Sequence, residues 1–168
     1  VVVSDVPCVS AGVYTTNIVK GHSLQLTIER MRTSPVINAV VVNSGCANAC
    51  VGQRGYDDAL SITDYLAKRL DVDKETVLIG STGVIGIPLN VDLIRKGIDK
   101  AVDGLSYAGG NDAMEAIMTT DTVPKLYEKE IVIGGKTVRI GGMAKGSGMI
   151  HPNMATMISI ITTDVNIS

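Results

Sequence analysis

Hydrophobic and polar positions along the chain alternate in ways that predict short strands interleaved with amphipathic helices. Val1–Val3 and Gly12–Thr15 read as strands joined by a turn that contains Pro7. Asn38–Val42 is a β-branched run, which predicts a buried strand ending at Asn43. From Tyr56 to Leu70 the apolar residues Ala59, Ile62, Leu66 and Leu70 recur at helical spacing. Asp57 and Asp58 stand in the first turn, where the helix dipole favours them. Thr76–Ile79 predicts a strand that delivers the chain into Ser81-Thr82-Gly83. Pro88 and Asn90 then open a helix to about Val102, with Leu93, Ile94, Ile98 and Ala101 on its inner face. A shorter helix is predicted over Asp112–Met118. Ile131-Val132-Ile133 and Thr137–Ile140 flank Gly134-Gly135, a hairpin signal because both glycines accept positive φ. Met157–Ile161 predicts a last apolar strand. Helices and strands alternate early and strands dominate the end, which predicts a layered α/β (α+β) sandwich without internal repeat, low-complexity tract or linker.

Composition narrows this picture. At 168 residues and 45% hydrophobic, the chain can bury the core of one domain. It has no Phe or Trp, so Val, Ile, Leu and Met must fill that core. A net charge of −2, spread along the chain, argues against a nucleic-acid partner. No 18-residue apolar run exists to span a membrane. No signal peptide is visible, and because Val1 opens inside an apolar run without Met, the natural start is expected to lie upstream. Cys8, Cys46 and Cys50 are an odd count and no secreted disulfide scaffold. Cys46 and Cys50 lack a second His or Cys cluster, so they read as small, partly buried loop residues and no metal site is predicted.

The chemistry concentrates near the end. In Gly141–Met157, Thr156 follows the small residue Ala155, just beyond a glycine-rich loop and at the mouth of the last strand. A Thr hydroxyl is a poor nucleophile without a base, and cutting the chain before it turns its own α-amino group into that base. Most Ala-Thr pairs are ordinary strand beginnings, so spacing alone leaves both readings open. Thr82 and Gly83 follow a strand end. Their hydroxyl and backbone N–H can converge on one oxyanion, and Ser-Thr-Gly is equally an ordinary turn. Lys145 lies among glycines, where it can meet a carboxylate or tune an amine; most lysines are solvated. Its loop lacks the order of a P-loop. Thr119 follows a helix and can hold a substrate or satisfy backbone groups. His151 is restrained by Pro152 and His22 carries no signal, so both stay outside the candidate site.

Four ordered blocks favour the chemical reading. They are Asn43-Ser44-Gly45-Cys46-Ala47-Asn48-Ala49-Cys50, Ser81-Thr82-Gly83-Val84-Ile85-Gly86, Ala116-Ile117-Met118-Thr119-Thr120-Asp121-Thr122, and the stretch from Gly141 to Met157. In this order they resemble the ornithine acetyltransferase (glutamate N-acetyltransferase) family of arginine biosynthesis. One departure is Cys46, which stands where that family often shows Asn. The resemblance implies a self-processing fold of the DmpA/ornithine-acetyltransferase type, cut between Ala155 and Thr156. Residues 1–155 then form an alpha-chain region, and 156–168 the start of a beta-chain region. A second half of comparable size is expected to begin at Thr156 and to complete the substrate site, without which this chain should not bind substrate properly.

It further implies Thr156 as nucleophile, Thr82 and Gly83 as oxyanion hole, and Thr119, Lys145 and Thr156 as substrate-binding, with Thr120 and Asp121 in support. The implied reaction is cytoplasmic and moves acetyl from N2-acetylornithine to glutamate through acetyl-Thr156. No cofactor is implied, except acetyl-CoA as a second acetyl donor in some members. The implied partner is the beta chain made by cleavage, giving an α/β heterodimer that assembles as an α2β2 heterotetramer, with neither nucleic acid nor membrane. Two alternatives stay open: a self-processing aminopeptidase or amidase of the same architecture, and an unprocessed, non-catalytic relative.

Overall fold

The β-branched run at Asn38–Val42 is the centre of a longer strand around which one half of the fold is built. The structure, a computed structural model, describes residues 1–34, 36–148, 153–154 and 156–166. Among the described residues the order is β1 (Val2–Val9), α1 (His22–Thr33), β2 (Val36–Cys46), α2 (Gln53–Leu70), β3 (Val77–Val84), α3 (Val91–Asp103), α4 (Gly110–Ile117), β4 (Leu126–Ile133), β5 (Lys136–Lys145) and β6 (Ile158–Thr163). β1, β2 and β3 form one sheet, with β2 antiparallel to β1 and parallel to β3. A parallel pair needs a long crossover, and α2 supplies it. β4, β5 and β6 form a second, antiparallel sheet.

Period-2 geometry decides which face of the first sheet meets which layer. Ala39 and Val41 of β2, with Val77 and Ile79 of β3, turn toward the helices. There they meet Leu26 of α1, Ala59, Ile62, Leu66 and Ala67 of α2, and Ile98 of α3. Ile62 and Leu66 are fully buried, and each contributes roughly 2–3 kcal/mol of transfer free energy. The opposite face presents Val2 and Val42 to a second cluster made by Met114 and Ile117 of α4 with Met143 and Ile160 of the second sheet. The layering is thus helices, sheet, sheet, with α4 filling the seam.

Several expectations are corrected. Gly12–Thr15 is not a strand; β1 runs through Pro7 instead, as an edge strand whose register shifts between Val3 and Cys8. An edge strand with an irregularity is where a residue lacking an N–H is tolerated. Asn43 does not end β2, and Ser81-Thr82-Gly83 lies within β3. Leu93 is 65% exposed, whereas Ile98 is buried and Ile94 packs against the core. Cys50 is exposed, and Cys46 at the end of β2 donates its thiol to the Ile87 carbonyl at 3.0 Å. The hairpin is as read: Gly134 and Gly135 have φ of 57° and 77°, and Ile133 faces Lys136. No helix among the described residues is long and apolar enough to cross a membrane.

Candidate functional site

Alternation along β3 sends Ile79 and Ser81 toward the helices and Gly80 and Thr82 toward the second sheet. Thr82 is 1% exposed, and its Oγ1 is buried without a hydrogen-bond partner among the described residues. Such a group loses its water hydrogen bonds and receives nothing in return, at a cost of about 1–3 kcal/mol. A donor held dry and unpaired is well suited to meet charge that develops during a reaction.

Gly83 beside it has φ of +132° and faces Gly45 of β2, whose φ is +104°. A Cβ on Gly83 would lie 2.2 Å from the Gly45 carbonyl carbon and 2.4 Å from its oxygen. No other residue fits there. The β2–β3 register shifts at Gly45/Cys46, so the parallel ladder is bent where Thr82 and Gly83 sit.

The second sheet delivers the other residues. Ile158 of β6 packs over Gly80, its Cδ1 3.4 Å from where a Cβ on that glycine would stand. β6 therefore lies against β3, with Thr156 two residues before Ile158 and Thr82 two residues after Gly80. Lys145, opposite Ile158 in β5, is 1% exposed rather than solvated. Its Nζ donates to the Thr156 carbonyl at 3.0 Å and the Gly146 carbonyl at 2.5 Å. Burial pushes the Lys145 ammonium below its usual value, and Asp121 partly opposes that. Of its three ammonium N–H donors, two are taken by these backbone carbonyls. Ala155 and His151 lie outside the described residues.

Thr119 is exposed just after α4, and its N–H donates to Asp121 Oδ2 at 3.5 Å. The Asp121 side chain, 2% exposed, also accepts from Lys125 Nζ and from the Gly146 N–H, both at 2.7 Å. Thr119, Asp121, Gly146, Lys145 and Thr156 thus form one chain of contacts, with Thr82 and Gly83 on the strand that Ile158 packs against. The carboxylate that ties this together was visible in the sequence only as a supporting residue. Among the described residues no group of His, Cys, Asp and Glu is placed to hold a metal ion.

The Lys125 ammonium and the Gly146 N–H hold the Asp121 carboxyl down at about 2. The ionised form is the one the fold favours, so its contribution is complete above the unfolded carboxylate value of about 4 and is lost as pH falls toward about 2. Urea-unfolding midpoints measured across that acid window should therefore fall with pH in the wild type and change less in Asp121→Asn. Identical slopes would remove Asp121 as a determinant of the loop.

A model of the ArgJ family matches residues 1–168. The chain belongs to the ArgJ family. The arginine biosynthesis bifunctional protein ArgJ of Symbiobacterium thermophilum is 54% identical over 161 residues, covering 96% of this chain and 40% of that protein. Its counterpart from Thermotoga neapolitana is 48% identical over 169 residues, covering 100% of this chain and 42% of that protein. The crystal structure of ArgJ from Bacillus halodurans superposes with a TM-score of 0.81 at 42% identity, over 93% of this chain and 80% of that chain. Ornithine acetyltransferase of Mycobacterium tuberculosis, solved in complex with ornithine, superposes with a TM-score of 0.73 at 32% identity, over 89% and 78% respectively. The chain spans about two fifths of the length of these curated ArgJ relatives.

Proposed function

We propose that this chain carries the nucleophile and oxyanion hole of a self-processing acetyltransferase that moves acetyl from N2-acetylornithine to glutamate. The observation that carries the reading is the buried Thr82 hydroxyl, unpartnered among the described residues, on the strand against which the strand following Thr156 packs. In the first stage Thr156 Oγ attacks the Ala155 carbonyl. The C–N bond breaks, the acyl group moves to oxygen as an ester, and water hydrolyses that ester. Ala155 leaves as a carboxylate and Thr156 gains a free α-amine. In the second stage that amine takes the hydroxyl proton while Oγ attacks the acetyl carbonyl of N2-acetylornithine. The amide C–N bond breaks, the proton passes to the departing ornithine amine, and acetyl-Thr156 remains. The glutamate amine then attacks the ester, and Thr156 Oγ leaves and recovers a proton.

Each stage passes through a tetrahedral oxyanion, so one hole formed by Thr82 Oγ1 and the Gly83 N–H serves both. Lys145 anchors the Thr156 carbonyl, a bond on the far side of the cut that cleavage leaves intact. Its remaining N–H, with Thr119, is assigned to the substrate. The reading includes a beta chain that begins at Thr156 and supplies the rest of the site, pairing as an α/β heterodimer within an α2β2 assembly. Acetyl-CoA as a second acetyl donor and a cytoplasmic setting belong to the same proposal.

Steady-state kinetics on the full-length protein test the reaction. Varying N2-acetylornithine and glutamate together should give the parallel lines of a ping-pong mechanism. Hydrolysis of acetylornithine with no product on glutamate would instead give the amidase reading.

A further inference from the structure

Behind the Thr82–Gly83 segment, on the helix side of the first sheet, runs a partly buried chain of side-chain hydrogen bonds that the proposed reaction does not use. Asn48 Nδ2 donates to the Gly55 carbonyl at 2.8 Å and to Ser23 Oγ at 3.1 Å. The Ser23 and Ser81 hydroxyls lie 2.7 Å apart, Ser81 donates to Asn43 Oδ1 at 2.6 Å, and Asn43 Nδ2 donates to the Cys46 carbonyl at 2.9 Å. Ser23 and Asn48 are fully buried.

Both ends of this chain are backbone carbonyls, which only accept. Each amide must therefore turn its nitrogen toward its carbonyl, and neither can flip. Asn43 then presents its oxygen to Ser81, Ser81 spends its single proton there, and Ser23 must donate to Ser81. The chain has one orientation. It joins the start of α1, the start of α2, the bent end of β2 and β3 at the residue before Thr82. Cys46, whose carbonyl closes the chain, pairs with both Thr82 and Val84 across the register shift. Thr82 and Gly83 are thus gripped from the preceding residue and from the facing strand. Among the described residues the Thr82 hydroxyl has no partner of its own to hold it, so the backbone sets its aim.

We propose that Asn48, Ser23, Ser81 and Asn43 are positioning residues that aim the Thr82 hydroxyl and the Gly83 N–H at the oxyanion. This rests on the two-stage reaction proposed above and extends it to residues that touch neither substrate nor nucleophile. Because one hole serves both stages, disturbing the chain slows both by a common factor. Substrate binding, which precedes the oxyanion, is left alone.

The test uses full-length protein carrying Ser81→Ala, Ser23→Ala, both together, Thr82→Ala, and Ser81→Ala with Thr82→Ala. Precursor cleavage is followed on gels, and acetyl transfer as kcat and KM. Each serine variant should lose about tenfold in the cleavage rate and in kcat, with KM for acetylornithine unchanged. The double serine variant should match the singles within about twofold, and Ser81→Ala should cost less in a Thr82→Ala background than in the wild type, because only the Gly83 N–H is then left to aim. Serine variants that melt earlier but keep both rates, while Thr82→Ala loses them, would overturn the positioning role and leave the hole standing. If Thr82→Ala itself keeps both rates, the hole and the proposal fall together, and Thr156→Ala still reports separately on the nucleophile. Should Ser81→Ala not fold, Ser81→Cys keeps the shape with a weaker donor. A smaller common loss supports the proposal and unchanged rates overturn it.

Discussion

Replacing Thr156 by alanine should leave the full-length protein as one uncut polypeptide without detectable acetyl transfer. Both stages of the proposed reaction begin with the same oxygen, so its removal leaves nothing for the oxyanion hole to assist. Losses on the order of 10⁶ in kcat follow removal of a nucleophile in a comparable covalent mechanism. The variant should still fold. Lys145 donates to the backbone carbonyl of residue 156, not to its side chain, so the anchor between β5 and β6 survives the substitution. Ile158 keeps its seat over Gly80 for the same reason. Intact mass reads the outcome directly. The wild type gives two chains, the second opening Thr156-Met157-Ile158-Ser159, and the variant gives one. A second chain opening at any other residue, or an alanine variant that still divides, would remove Thr156 from its role. Thr156→Ser, which keeps a hydroxyl at the same place, should restore cleavage at a reduced rate.

Much of the fold was legible because hydrophobic period and core burial coincide. The stripe Ala59, Ile62, Leu66 reappears as fully buried residues of α2, and Gly134-Gly135 turns as the hairpin requires. Helix α1 escaped for a physical reason. Its buried face is Ser23, Leu26 and Arg30, two polar residues that carry hydrogen bonds inward, so no apolar stripe marks it. Arg30 spends one guanidinium N–H on the Val77 carbonyl at 2.6 Å, a contact that no period in the sequence reveals. The missed helix concealed Ser23, and with it the chain of hydrogen bonds behind Thr82.

The site residues divide along the same line. Thr82, Gly83, Lys145, Thr119 and Thr156 became candidates through the family resemblance that their ordered blocks carry, since each taken alone has an ordinary structural reading. What the blocks do not give is environment. A lysine among glycines reads as solvated, yet β5 and β6 bury Lys145 and turn it onto two carbonyls. Asp121 looks like one carboxylate among many until Gly146 and Lys125 close on it from twenty-five residues and four residues away in sequence.

Thr82→Ala and Gly83→Ala should separate chemistry from architecture at adjacent positions. The Thr82 hydroxyl is a buried donor without an acceptor among the described residues, so deleting it relieves a desolvation penalty instead of breaking a bond. The melting temperature of Thr82→Ala should hold or rise, while cleavage and transfer each fall about 10²-fold, the loss expected for one oxyanion donor. Thr82→Ser, which keeps the donor, should recover most of both rates. Gly83→Ala should fail differently. Its new Cβ meets the Gly45 backbone at 2.2 Å, and its φ of +132° is one that side-chain-bearing residues rarely adopt. Neither strand can retreat without breaking the β2–β3 ladder. Backbone strain and overpacking together should then cost upward of about 3 kcal/mol. Urea unfolding beside a gel assay of processing distinguishes the two. Thr82→Ala that is less stable but fully active would make Thr82 a packing residue. Gly83→Ala as stable as the wild type would mean that β2 and β3 do not approach as closely as their glycines allow.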